Sequence, residues 1–263
     1  MEGLDRASWF AGDLDDPWVA AIAGALPRAL RIDCPGDLPD AWPVDGRTPL
    51  AVVVHRSVLN PADAIRIGRL RARWDPAPRL VLCVGPHARY VDVERWSRLV
   101  DVVIPEATAP DTVARHARDR VPTPRIGGPG PRVAVVSTNS ELRATLADAC
   151  RSGGLMVEPA SDLAGLAAGL AAAWDVPILE PDWPDRLARR ARIAPVVALL
   201  GFADRGTVAM ARRSGASACL DLPCDVDDLV EVLERVAASR GSDPAHEVPP
   251  SPMGFRAALA RTI

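Results

Sequence analysis

The chain has 263 residues, 48% hydrophobic and 25% charged, with a formal net charge of -3. That length accommodates two domains of ordinary size, and the charge balance excludes the basic footprint of a nucleic-acid binder or a polybasic membrane surface. All 31 Lys+Arg positions are arginine, which excludes Schiff-base catalysis and a phosphate-binding lysine loop.

In chain order, residues 1–121 read as a first α/β domain. Ser8 to Ala11 is a candidate strand and Pro17 to Leu26 a helix. Arg28 to Ile32 is a second strand, and the Pro, Asp and Gly of Cys34 to Arg47 predict a loop. Leu50 to Val54, Leu80 to Val84 and Val100 to Ile104 are apolar strands, each followed by a helical segment. Residues 122–131 are dominated by proline and glycine and predict an interdomain linker.

Residues 132–240 read as a second α/β domain. Arg132 to Ser137 is a buried-strand run, and Ser140 is expected to cap a helix through Cys150 that Gly153 ends. Leu155 to Val157 is a short strand. Ser161 is expected to begin a helix carrying Leu163, Leu166, Leu170 and Trp174 at helical spacing. Val176 to Leu179 and Pro195 to Leu200 are the next strands, with Arg186 to Arg192 between them. A helix through Val208 and Ala211 ends at Gly215, Ser217 to Leu222 is the last strand, and Asp225 caps a final helix. Strand-helix alternation with near-continuous apolar strands implies parallel sheets covered on both faces. Residues 241–263 form a linker and a short helix in which Phe255 and Leu259 share a side that can dock on the chain or on a partner.

The run from Pro195 to Asp204, then Arg212 to Leu229, resembles the C-terminal half of a response-regulator receiver. In that family a strand ends in Thr or Ser, a helix ends in Gly-Ala, and a last strand ends in Lys-Pro. The resemblance covers residues 132–240 and extends more loosely to residues 1–121, where Ala109, Pro110 and Asp111 precede the last helix. It implies two tandem five-stranded doubly wound sheets of order 2-1-3-4-5, with the crevice at the strand C-termini.

Receiver phosphorylation needs an Asp acceptor after strand three, an acidic pair holding Mg²⁺, and a Thr/Ser and a Lys on the phosphoryl oxygens. In the second domain Ser137, Thr138 and Asn139 replace the acidic pair. The acceptor position falls on Glu180, the hydroxyl position on Leu200, the lysine position on Leu222 and the switch aromatic on Cys219. Leu200 and Leu222 are expected to close that crevice with apolar surface near Glu180. In the first domain His55 takes the acceptor position, Cys83 or Val84 the hydroxyl position and Glu106 the lysine position. Asp13, Asp15 and Asp16 follow strand one and are the candidate metal ligands, although acids favour a helix N-terminus in any case.

The resulting expectation is a tandem pseudo-receiver of the two-component, phosphorelay type. It would signal or scaffold through protein contact, with no catalytic residues, no cofactor and no bound metal. The face formed by helix four, strand five and helix five mediates assembly in receivers, and here it includes Arg212, Arg213, Asp227, Asp228 and Glu231. Expected partners are proteins, a second copy among them, and neither nucleic acid nor membrane. The acidic N-terminus and the brevity of the longest apolar run, Leu163 to Trp174, point to the cytoplasm. Two alternatives stay open: a phosphorylatable regulator using Asp182 or another acid, and a doubly wound transferase or hydrolase with an interdomain site. The five cysteines, Cys34, Cys83, Cys150, Cys219 and Cys224, show neither a disulfide nor a zinc spacing. His55 and His87 follow neighbouring strands and so could approach each other.

Overall fold

A computed structural model describes residues 8–39, 42, 48–118, 130–201 and 203–239. Most of the linker and all of the C-terminal helix expected from the sequence lie outside the described residues.

The first sheet contains β1 (Trp9–Gly12), β2 (Leu30–Asp33), β3 (Ala51–Arg56), β4 (Arg79–Val84) and β5 (Val102–Pro105). Its helices are α1 (Pro17–Gly24), α2 (Pro61–Ala72), α3 (Tyr90–Trp96) and α4 (Ala109–His116). The second sheet contains β6 (Arg132–Val136), β7 (Met156–Ala160), β8 (Ala171–Asp175), β9 (Val196–Gly201) and β10 (Ala218–Leu222). Its helices are α5 (Ser140–Ser152), α6 (Trp183–Ala191), α7 (Arg205–Arg213) and α8 (Val226–Ala238).

Both sheets are five-stranded and parallel throughout, ordered β2-β1-β3-β4-β5 and β10-β9-β8-β6-β7. This is the doubly wound α/β fold in tandem, with both mouths at the strand C-termini. Central strands carry apolar side chains on both faces because helices cover both. β3 is buried along its whole length, and β9 along all but Gly201. Two apolar layers flank each sheet. Among the described residues between β2 and β3, Cys34, Leu38 and Trp42 join one apolar layer.

Three sequence expectations change. Asn139, not Ser140, caps α5, because its side chain accepts from the Glu141 and Leu142 N–H groups. The helix expected from Ser161 is absent: 161–170 is loop, and Ala171 to Asp175 is the third strand of the second sheet. Val176 to Leu179 accordingly leaves the sheet as a turn, with the Leu179 side chain exposed. Leu163, Leu170 and Trp174 do share one layer, but from a loop and a strand. A short buried strand of alanines matches helix and strand patterns equally, and its central place in the sheet decides the matter.

Candidate functional site

Strand register makes the two mouths directly comparable. Ala11 pairs with Val54 in the first sheet and Val136 with Trp174 in the second, so His55 and Asp175 occupy equivalent places one residue further on. His55 pairs with Cys83, and Asp175 with Leu199. Leu200 therefore corresponds to Val84, which pairs with Pro105 as Leu200 pairs with Asp221. The next position is Glu106 in the first sheet and Leu222 in the second.

Several site assignments are corrected by this register. The acceptor position of the second domain is Asp175, not Glu180. Glu180 lies in the exposed turn beyond β8 and pairs with Arg186, while Asp182 is the exposed N-cap residue of α6. The error is the strand shift itself, which carried the assignment past the true strand end. In the first domain the hydroxyl position is Val84. Cys83 is fully buried in the core, where loss of water and the nearby Glu106 charge push its thiol well up. Leu200 and Leu222 do not close one crevice beside Glu180. Leu200 packs in the layer with Trp174 and Leu187, and Leu222 packs on the opposite layer. Cys219 is buried, and burial pushes its thiol up to about 12.

In the second mouth the Ser137 hydroxyl donates to Asp175 Oδ2 at 2.7 Å and accepts from the Asn139 N–H at 3.1 Å. Ser137 is buried and Asp175 half-buried. A hydroxyl thus stands where a metal-binding carboxylate would be needed.

The first mouth has the opposite charge arrangement. His55 and Glu106 are 3% and 2% exposed, and His55 Nε2 lies 2.7 Å from Glu106 Oε2. A cationic or hydrogen-bond-donating ring occupies the acceptor position, and a carboxylate occupies the lysine position. Two glycines make room. A Cβ on Gly12 would fall 3.1 Å from His55 Cβ, and one on Gly85 would fall 2.7 Å from Ser57 Cα and 3.1 Å from Glu106 Oε2.

Arg205, the first residue of α7, reaches in from the second domain. Its Nε donates to Glu106 Oε1, and its Nη2 donates to Glu106 Oε2 at 3.0 Å and to Asp16 Oδ2 at 2.8 Å. The guanidinium also lies 5.8 Å from the Trp18 ring centroid. The other oxygen of Asp16 caps α1 through the Trp18 N–H at 2.8 Å. Burial opposes ionisation of Glu106, but hydrogen bonds from His55 and Arg205 outweigh it and hold the carboxyl below its ordinary value. The bonds that Arg205 donates to Glu106 and Asp16 in turn raise Arg205.

Beside this cluster a cavity of about 320 Å³ opens, lined among others by Asp13, Asp16, Asp37, His55, Arg56 and Asp63. Asp63 is fully buried and receives Arg56 Nε at 3.0 Å and the Leu38 N–H at 2.8 Å, which fixes the loop forming one wall. Asp13 accepts from the Asp15 N–H, Asp15 is exposed, and Asp16 is committed to its cap and to Arg205. Among the described residues these acids do not converge with other His, Cys, Asp or Glu side chains as a group that could hold a metal. His87 is exposed, whereas His55 is buried on Glu106.

The face carrying Arg212, Asp227, Asp228 and Glu231 lies against the first domain, where α4 packs on α8 and β10. Asp111 accepts from Arg212 and, at 2.8 Å, from the Cys219 N–H, while Arg235 donates to the Asp111 carbonyl at 2.9 Å. Asp228 pairs with Arg115 and with His116 Nε2 at 3.0 Å, Asp227 pairs with Arg115 at 3.6 Å, and Glu231 pairs with Arg118. Arg213 is exposed. Burial raises Asp111 above its ordinary value despite its arginine partners. Asp228 is lowered, because bonds from His116 and Arg115 outweigh its burial. Ala107 of the first domain is buried in the second domain's apolar layer, with Trp18 packed against it. These cross-domain pairs join residues about a hundred positions apart, so their only sequence signal was the excess of arginine and acid on both partners. Among the described residues, no helix is long and apolar enough to cross a membrane.

No protein-family model and no curated protein matches this sequence. Among solved structures it is similar to a Burkholderia thailandensis protein assigned to pilus assembly, at 22% identity and a TM-score of 0.38, over 41% of this chain and 98% of that one. It is likewise similar to a receiver domain from Methanospirillum hungatei, at 16% identity and a TM-score of 0.37, over 43% and 97% of the two chains. A chemotaxis response regulator of Vibrio cholerae gives 19% identity and a TM-score of 0.36, over 41% and 98%. These likenesses concern the fold alone, over the length of one domain.

Proposed function

We propose that this chain is a non-catalytic signalling or scaffolding protein of the response-regulator type, working through protein contact without phosphoryl transfer. The observation that carries this reading is the His55–Glu106–Arg205 cluster. A phosphoryl acceptor site must gather cations and donors around a nucleophilic carboxylate. The first mouth instead holds a histidine at the acceptor position and a buried carboxylate where the cation belongs. Its cation, supplied by the second domain, neutralises that carboxylate and joins the two domains in the resting state. An open interdomain active site, as a transferase or hydrolase requires, is disfavoured by the same plug.

One observation favours a second reading, a phosphorylatable regulator: Asp175 stands at the end of the third strand of its sheet. Its surroundings weigh against it, since Ser137, Thr138, Leu200 and Leu222 supply neither metal-binding carboxylates nor a lysine. Uncompensated phosphoryl charge there would be costly. The test is treatment with acetyl phosphate and Mg²⁺, followed by intact-mass and peptide mass spectrometry and a sizing profile. The unmodified mass and an unchanged profile are expected. A stable phosphoryl adduct at Asp175 with a shifted profile would overturn the contact-only reading in favour of the second.

A further inference from the structure

We infer that the mouth of the first domain is a guanidinium receptor, filled at rest by the chain's own Arg205, and that it accepts an arginine from a protein partner in the same place. The proposal rests on the contact reading above and names the partner's chemistry.

The receptor is built around a carboxylate that is 2% exposed, and both of its oxygens receive nitrogens of one guanidinium. This fork-to-fork match is specific to the planar guanidinium, and an ammonium cannot reproduce it. Asp16 adds a second acceptor and Trp18 an aromatic face, the two remaining elements that favour a guanidinium over other cations. His55 backs the carboxylate from inside, so Glu106 is held in one orientation whichever arginine is bound.

Exchange is physically accessible. The Arg205 side chain keeps 31% of its exposure, and it extends from the first residue of a helix, next to a connecting loop. The adjoining cavity of about 320 Å³ is lined by His55 and Asp16 of the receptor and by Asp13, Asp37, Asp63 and Arg56, so a bound arginine has room for its flanking residues beside a lining in which acids outnumber the one arginine. The complementary partner is therefore a protein segment that presents an exposed arginine with basic or neutral neighbours. Entry of that arginine would release Arg205 and loosen the joint between the domains, coupling partner binding to domain arrangement.

Calorimetric titration with methylguanidinium, with ethylammonium as the control, tests this on the full chain. In Arg205→Ala, saturable one-to-one binding of methylguanidinium is expected, about tenfold tighter than ethylammonium because only the former makes the paired bonds. The unsubstituted chain should bind at least about tenfold more weakly, since a tethered side chain competes at high effective concentration. Adding Glu106→Gln should abolish binding. Should that double variant unfold by circular dichroism, Asp16→Asn in the Arg205→Ala background serves instead and should weaken binding severalfold. Absence of saturation in folded Arg205→Ala, equal affinity for the two probes, or indifference to both carboxylate substitutions would each overturn the receptor. None of these outcomes bears on the phosphodonor result, so the two readings fail separately.

Discussion

Glu106 and Arg205, 99 residues apart in sequence, meet as a two-pronged ion pair that bridges the two sheets, with the carboxylate buried and the guanidinium half-buried. Removing the arginine strands a charge in a site from which water is largely excluded, and such losses cost more than the pair contributes when intact. Arg205→Ala should weaken the association of the two halves by about 1–3 kcal/mol, less than for a fully buried pair because part of the guanidinium is solvated. Small-angle scattering should show a larger radius of gyration, with faster tryptic cleavage between the halves. Arg205→Lys should recover only part of the effect.

Acid should loosen the same joint. Glu106 and Asp228 both titrate below their ordinary values of 4.5 and 3.8. A carboxylate depressed in the folded state contributes stability that is fully present above its unfolded value and is lost as pH falls through the folded one. Asp111 has the opposite sign: burial raises it above 3.8, so its charge is a cost at neutral pH that disappears on protonation. Asp16, lowered by Arg205 despite its burial, has the same sign as Glu106 and Asp228, so three favourable carboxylates stand against one, and the joint should weaken as pH falls below about 4.5. Scattering across an acid titration checks this, and Glu106→Gln should flatten the profile.

Gly85→Ala should act on the site through sterics alone. The added methyl would meet the Ser57 backbone at 2.7 Å and Glu106 Oε2 at 3.1 Å, and the backbone has little freedom to retreat. Overpacking of this kind costs about 1–3 kcal/mol. Thermal melting should report that loss, and the His55 ring resonances should shift, because Glu106 must move. Gly68→Ala is the control, since its Cβ would meet nothing within 4 Å.

Ser137→Ala tests the second mouth. It removes the 2.7 Å donor to Asp175 and the acceptor of the Asn139 N–H at the entrance to α5. A loss of about 1 kcal/mol is expected in denaturant unfolding. Ser137→Asp should lose more, because it sets a second carboxylate directly beside that of Asp175 in a largely buried place.

Much of the architecture was legible in the sequence, because parallel strands buried on both faces are apolar runs and their helices carry stripes. The β3, β4 and β9 segments show this, as do the Asp225 cap and the Gly215 terminus, whose φ of +96° a side chain would strain. The third strand of the second sheet was not. Ala171 to Trp174 contains three alanines, good helix formers, and its Trp174 falls at helical spacing with Leu163, Leu166 and Leu170, so only pairing with β6 and β9 makes it a strand. That one misreading moved the acceptor position from Asp175 to Glu180. The His55–Glu106 contact depends on side chains reaching across the mouth of the first sheet, and its completion by Arg205 on how the two domains dock, neither of which local pattern encodes.

Asp111 has a further consequence for β10. That strand ends its sheet and pairs on one side only, with β9. Its outward amide at Cys219 would face the surroundings unpaired, but the Asp111 carboxylate from α4 binds it. An open strand rim is a template for another chain's backbone, and natural proteins cover or charge such rims to prevent it. The first half of this chain thus acts as a sheath for the second. Expressed without it, the second half would expose that rim together with Arg212, Asp228 and Glu231, stripped of their counter-charges, and would be prone to stack on itself.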